Sequence, residues 1–355
     1  MRTLSQLKQS LYQVPTQKQR LMHDLAESKG RQAMFINQSP EILERLMHYA
    51  IIESVRASTS MEGVVVPETR QLDEMVRDAK WKPKNRDEQD VLAYRNALNY
   101  VFEEGTRLKL STETILSLSK ILWAHDPELA RLKSEDNEIA LVYPDGTKVS
   151  RFKPPSASET PELLERSCVL YNDLIENSEY VDHLVISAFI LDLLCIHPLA
   201  DGNGRLARLL HVMLLVKADY QAIRFVSHEG LIERDKEEYY DALYQSSKGW
   251  NEGQHKPNAW MNFSLGKLYL AFKRFESQVT EAQKTFADSI RRSESSQVAQ
   301  MLEAITPGQS FDRNYIETKS KVSGRTTRRV IGDWITQGRL LKVGAGRGVR
   351  YKKLR

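Results

Sequence analysis

Apolar residues recur every three or four positions from Ile42 to Thr59, Val91 to Phe102 and Thr112 to Trp123. That is the spacing of helices that bury one face. From His183 to Cys195 the chain is apolar almost throughout, predicting a buried helix. A Gly-rich loop follows, and a second apolar helix starts near Gly204. Further helices are expected over Asp235 to Ser246 and Asn258 to Phe275. Strand patterns are sparse. The clearest is Ile139 to Phe152, with IALVY and TKVSRF as arms around Pro-Asp-Gly. Pro144 presets a turn dihedral and Gly146 tolerates positive φ, so a hairpin is predicted. Lys153-Pro154-Pro155 should stop the second arm, with Ser158 or Thr160 capping a helix that opens at Pro161.

The tail follows a different pattern. Thr280 to Ser296 is rich in Ser, Gln and charge, as a linker or a linking helix would be. Ser296 to Ile305 reads as one helix, Phe311 to Lys319 as a second, and Ser323 to Gln337 as a third that is rich in Arg. Gly338 should end the third, and two short arms then flank a Gly-rich turn. Helix, helix, basic helix and hairpin is the order of a winged helix-turn-helix. The expected fold class is mainly α, a helical core with one hairpin and a small C-terminal winged helix-turn-helix. No internal repeat is evident.

A chain of 355 residues has room for two or three domains and a sizeable core. Its 41% apolar and 28% charged residues argue against disorder. The most hydrophobic run, Leu184 to Ile196, contains Asp192 and is too short to cross a bilayer. The first residues, MRTLSQLKQSLYQ, show neither an apolar core segment nor a cleavage site, so no signal peptide is expected. Cys168 and Cys195 cannot form a disulfide framework, and no Cys/His cluster has zinc spacing. Both read as buried thiols in a reducing compartment, and the expected location is cytoplasmic, without membrane contact. Charge is divided unevenly: residues 321–355 carry 11 Lys/Arg against one acid, Asp333, and the preceding 320 carry 40 bases and 46 acids. An acidic body and a basic tail suggest two modules with different partners.

Between the two apolar helices lies HPLADGNGRLAR, residues 197–208. Gly202-Asn203-Gly204 directly before a helix lets successive N–H groups turn inward, and the helix start adds partial positive charge, an anion site suited to phosphates. Arg205 and Arg208 offer planar forks for phosphate oxygens. Bases in a first helical turn oppose the helix dipole, and an anionic ligand would account for them. Asp201 supplies the single carboxylate that Mg²⁺ takes alongside substrate phosphates. His197 is the group here that can accept a proton near neutral pH. Any one of these could be a tight turn or a solvated charge. The set together points to phosphoryl or nucleotidyl transfer.

The string resembles the Fic signature HPFxDGNGRxxR, departing only at Leu199, where the family usually has Phe. The departure implies a slightly looser loop. The resemblance extends over about residues 40 to 275. It implies a Fic-type core that transfers AMP from ATP to a Ser, Thr or Tyr hydroxyl of a target protein or of the protein itself. Carried over by position, His197 would deprotonate the hydroxyl and Asp201 would hold Mg²⁺. Gly202, Asn203, Gly204 and Arg205 would cradle the α- and β-phosphates, and Arg208 the γ-phosphate. The hairpin resembles the family's flap, which captures the target by strand addition, although an ordinary surface hairpin would look the same. Tyr239 and Tyr240 resemble residues lining the nucleoside pocket, although helical core packing also suits them. Some relatives carry Asn where this chain has Ser247, which bears on base selectivity. Family members often dimerise. The implied plan is an N-terminal helical region over 1–110, a Fic core over 111–278, a linker over 279–294 and the winged helix over 295–355.

Ser58 to Gly63 reads STSMEG. Gly63 should end a helix, which puts Glu62 at the negative end of the dipole, where a carboxylate wants a cationic partner. The pattern resembles the inhibitory motif of autoinhibited Fic proteins. That implies pairing of Glu62 with Arg208, assisted by Ser58. A solvated Glu beside a helix stop is the plainer alternative.

In the tail, Arg325, Arg328 and Arg329 fall on the expected recognition helix and Lys342, Arg347 and Arg350 on the wing. Residues 321–355 could therefore bind double-stranded DNA, or dock a protein. Two other functions stay open: a DNA-binding regulator whose Fic-like module senses nucleotide, and an enzyme that removes AMP or transfers another phosphate-bearing group.

Overall fold

The computed structural model describes residues 2–9, 14–37, 40–142, 147–177 and 180–354. The Pro144 to Gly146 tip of the hairpin lies outside the described residues, as does the side chain of Arg347. Two compact units are present, Met1–Ser277 and Gln278–Arg355.

The first unit opens with α1 (Arg2–Lys8), α2 (Thr16–Ile36), α3 (Pro40–Ser60), α4 (Thr69–Arg77), α5 (Arg86–Glu104) and α6 (Thr112–Leu122). Asn85 and Ser111 cap α5 and α6 by accepting the N–H of Glu88 and Thr114, as short polar side chains do at helix starts. A hairpin follows, β1 (Ile139–Val142) antiparallel to β2 (Lys148–Phe152), with Ile139 opposite Phe152 and an irregularity after it. Then come α7 (Thr160–Glu176), α8 (Asp182–Ile196), α9 (Asn203–Lys217), α10 (His228–Arg234) and α11 (Lys236–Ser247). Neither Ser158 nor Thr160 caps α7. The turn begins earlier, at Ser156, whose N–H and hydroxyl both donate to the Glu159 carboxylate (3.1 and 2.6 Å), half of a capping box.

Helices α8 and α9 are buried nearly all round, as their apolar residues on every face require. Five other helices supply the cover: α1 and α7 pack on α8, and α3, α5 and α6 on α9. Asp192, inside the apolar run, is fully buried and accepts the N–H groups of Thr3 (2.8 Å) and Leu4 (3.0 Å) and the Trp250 indole (2.7 Å). A carboxylate in an otherwise oily helix thus receives the uncapped N–H groups of α1. Cys168 and Cys195 are buried free thiols.

Helix α12 (Asn258–Ala304) is continuous, so the stretch expected as a linker or linking helix is helix throughout. Thr280 to Ser296 contains no Gly or Pro, and a polar segment without breakers can remain a solvated helix. Beyond it lie β3 (Ser310–Phe311), α13 (Arg313–Ser320), α14 (Gly324–Thr336), β4 (Leu340–Val343) and β5 (Arg350–Lys353). The strands form a sheet in the order β3-β5-β4. Its core gathers Val298, Leu302, Phe311, Ile316, Ile331 and Trp334. Among the described residues no helix is long and apolar enough to cross a membrane.

Candidate active site

The chain between α8 and α9 is held by side chains rather than by regular structure. His197 ends α8 in the left-handed region (φ 51°), a conformation that costs a non-glycine residue about 1–2 kcal/mol. The neighbours fix it. Asn203 clamps Leu199 from both sides, accepting its N–H (2.9 Å) and donating to its carbonyl (2.8 Å). Asn137 donates to the carbonyls of His197 (3.2 Å) and Leu199 (3.1 Å). Lys133, 5% exposed, donates to the Ile196 carbonyl (3.2 Å), and its N–H to that of Pro198 (2.8 Å). Leu199 is fully buried. Lys133 and Asn137 were not foreseen, because a single Lys and a single Asn before a hairpin look like any surface residues.

Glycine is required at one position of the loop and favoured at another. Gly202 has φ 79°, and a Cβ there would sit 2.8 Å from the Trp123 indole nitrogen, which donates to the Asp201 carbonyl at 3.2 Å. A Cβ at Gly204 would collide with the Glu62 carboxylate. Helix α9 starts at Asn203 with no side-chain cap, so its first N–H groups are left for an incoming anion.

These features open onto one cavity of about 720 Å³ lined by His197, Asp201, Gly202, Asn203, Gly204 and Arg208. Tyr239, Tyr240 and Ser247 line it as well, as do Arg151 and Phe152 from the hairpin. The His197 Nδ1 faces the Leu194 carbonyl at 3.2 Å. Burial lowers its pKa to about 4, Lys133 adding to the effect while the Leu194 carbonyl, Glu62 and Asp201 oppose it. The ring is neutral at pH 7, so with its proton on Nδ1 the Nε2 lone pair is free to act as a base. Asp201 is exposed, and its Oδ1 accepts the Gly202 N–H at 2.6 Å. Tyr239 is 2% exposed and packs on Trp260 (5.9 Å), whereas Tyr240 is 44% exposed. One tyrosine is therefore core as well as lining, and the other is rim. The Arg151 guanidinium lies 4.7 Å over Tyr244, a pair that no motif or spacing singles out.

The two arginines of the loop diverge. Arg208, 2% exposed, donates to the Ser58 hydroxyl and carbonyl (2.9 Å each) and to Glu62 Oε1 (2.7 Å). Burial works against both charges of this pair, yet each is favoured: Glu62 titrates below its usual value because Arg208 outweighs desolvation, and Arg208 above its own because of Glu62. Glu62 sits just past α3, in a turn closed by Gly63 at φ 82°, rather than in the last helical turn. Arg205, expected to cradle phosphates, does not line the cavity. It stacks 4.5 Å over Trp123 and donates to Asp90 Oδ1 at 2.5 Å. Asp90 is thus the anion that offsets a base in the first turn of α9.

In the second unit Arg325, Arg328 and Arg329 are exposed on α14. Lys342 lies opposite Tyr351 and Arg350 opposite Val343. With side chains alternating along a strand, those two bases lie on opposite faces of the hairpin.

Two buried helices, joined by a loop that brings an uncapped helix start and an imidazole to one cavity, form the centre of a mainly helical fold. Residues 109–215, somewhat under a third of the chain, match the family model of Fic, the Fic/DOC family. A stretch of 106 residues is 35% identical to the protein adenylyltransferase Fic of Nematostella vectensis, covering 28% of this chain and 22% of that protein. The match thus spans about a fifth of the relative's length. Two crystal structures share the fold. A Fic family protein from Desulfovibrio desulfuricans G20 is 20% identical with a TM-score of 0.59, covering 96% of this chain and 97% of that one. A Fic domain containing signaling protein from Bacteroides thetaiotaomicron VPI-5482 is 18% identical with a TM-score of 0.61, covering 73% and 98%.

Proposed function

We propose that the protein is an adenylyltransferase that moves AMP from ATP onto a hydroxyl of a target protein or of itself. The observation that carries this reading is a neutral imidazole sharing one cavity with an uncapped helix start, a carboxylate and an arginine. His197 Nε2 takes the proton of the incoming Ser, Thr or Tyr hydroxyl. The oxygen then attacks the α-phosphorus as the bond to the bridging oxygen breaks and pyrophosphate leaves. Little covalent work falls to the protein, which positions the groups and stabilises charge. The N–H groups at Asn203 and Gly204 face the phosphates, with that of Gly202 donated to Asp201. Asp201 fits Mg²⁺, because its one exposed carboxylate adjoins the phosphate nest; the ion would offset charge on the phosphate oxygens. Tyr239 and Tyr240 would flank the nucleoside.

Glu62 occupies the guanidinium that the γ-phosphate would need, so the arrangement is an inhibited one. Glu62→Gly should raise AMP incorporation about tenfold or more, a typical regulatory coupling of 1–3 kcal/mol. His197→Ala in that background should lower it by about 10²–10⁴-fold. Labelled ATP with Mg²⁺, read together with intact mass, checks both. Labelling that survives loss of His197 would refute the mechanism, and equal labelling by wild type and Glu62→Gly would refute the brake.

A second reading concerns Gln278–Arg355. Its helices and hairpin, with Arg325 and Arg328 exposed on α14, support a winged helix-turn-helix that takes DNA phosphates. Titration of the full chain on duplex DNA at two salt concentrations tests it. Absence of affinity at low salt would leave protein docking as the use of this unit.

A further inference from the structure

We infer that Asp90 is a positioning residue for the phosphate loop: through Arg205 it fixes the first turn of α9, leaving Arg208 as the arginine that meets phosphate. The inference rests on the AMP-transfer reading and revises one of its parts. Four observations carry it. Arg205 and Asp90 are 4% and 7% exposed and 2.5 Å apart, while Arg205 is absent from the cavity wall. Arg205 Nε is buried without a partner, so the guanidinium takes its orientation from Asp90 and the indole beneath it. That indole, Trp123, also holds the Asp201 carbonyl and touches the space a Cβ at Gly202 would need. Finally, Asp90 comes from α5, which packs along α9 and lies outside the matched residues 109–215.

The physical consequence is a foundation under the loop. Helix α9 begins at Asn203, so Arg205 stands in the turn whose N–H groups must aim at the phosphates. A guanidinium has a fixed fork, and in a dry site it turns toward the nearest anion. With Asp90 present that anion lies below the loop. Without it the anions left are on the cavity side, Glu62 where present and the nucleotide, and Arg205 would swing toward the cavity, dragging the nest out of line. A misplacement of an ångström is costly for a reaction that depends on alignment. The His125 Nε2, 3.6 Å from the same Asp90 oxygen, is too distant to replace Arg205.

The test is done in the Glu62→Gly background, so that the brake does not mask the result, with kcat and KM for ATP measured beside thermal melting. Asp90→Asn keeps the shape and removes the charge. It should lower kcat about tenfold to a hundredfold with KM for ATP little changed, and Asp90→Glu should restore part of the rate. Adding Arg205→Lys to Asp90→Asn should cost little beyond either change alone, as expected of coupled partners. An active Glu62→Gly parent with an unaffected Asp90→Asn overturns this inference alone. So does a raised KM with kcat preserved, since that marks Arg205 as a phosphate ligand. A silent parent overturns the AMP-transfer reading and this inference with it. Should Asp90→Asn fail to fold, Arg205→Lys alone decides the question through the same split between kcat and KM.

Discussion

The arginines of the 197–208 loop and those of the basic tail are the same side chain under different rules. Arg205 and Arg208 are 4% and 2% exposed, and each meets a carboxylate from a distant helix or turn. Arg325 and Arg328 stand in water, and Arg329, 57% exposed, has only a helical neighbour, Asp333, at 3.4 Å as its acid. Removing a guanidinium from water costs several kcal/mol unless a partner is placed for it, whereas an exposed one needs none. In the core, therefore, the position of each acid says what the arginine is for. In the tail it says little.

The same contrast should appear in acid, where the effect is largest. All eight histidines precede residue 256, so the tail has none. Burial lowers His183, His197 and His228 each to about 4. A depressed folded pKa means that the unfolded chain takes the proton first. Stability from these groups is complete above the ordinary histidine value near 6.5 and is lost as pH falls toward 4, up to about 3 kcal/mol each. Glu229, raised by burial, works in the opposite sense and offsets part of the loss. In a Trp334→Phe variant every remaining tryptophan lies in Met1–Ser277, and fluorescence should show the melting temperature falling steadily between about pH 6.5 and 4. A flat profile would mean that the histidines are charged in the folded state and the core is wetter than its packing indicates. If His197 acts as the proposed base, the rate of the proposed AMP transfer should hold down to about pH 5 where the fold survives.

Arg205→Ala against Arg325→Ala comes next and breaks the comparison most directly. The first strands Asp90 as a buried, unpaired carboxylate and should cost about 3–5 kcal/mol. The second should stay within about 0.5 kcal/mol. Chemical denaturation of both variants measures the difference, and similar midpoints would show that water reaches Asp90 in place of the guanidinium.

Much of this division was legible in the chain. Helix periodicity located α3, α5 and α6, because apolar spacing is imposed by burial and burial is what a helix face records, and the density of apolar residues located α8 and α9. The glycines of the loop marked a turn, since positive φ and close approach leave few other residues possible. The sequence could not show where Arg205 points, because the two arginines three residues apart are chemically alike. Only the placement of α5 puts a carboxylate beneath one of them, and Asp90 lies 115 residues away. Lys133 and Asn137 were hidden for the same reason: they act on backbone carbonyls, which every residue has. The polar stretch before the tail was ambiguous because solvated helix and linker share a composition, and only the lack of Gly and Pro favoured helix.

The smallest expected effect tests the other half of the comparison. Arg329 is i,i+4 to Asp333 on α14, with both side chains more than half exposed, and it also reaches the Ser295 hydroxyl. Exposed helical pairs of this kind contribute about 0.3–0.5 kcal/mol, because water already solvates each charge and holding two long side chains costs entropy. Arg329→Ala should accordingly shift the denaturation midpoint by no more than that, and salt at about 0.5 M, enough to screen such pairs, should erase the difference. A loss several times larger would mean that Arg329 is structural in the way Arg205 is. The tail's charge would then belong to its own packing, and the case for reading α14 as a phosphate-facing helix would weaken with it.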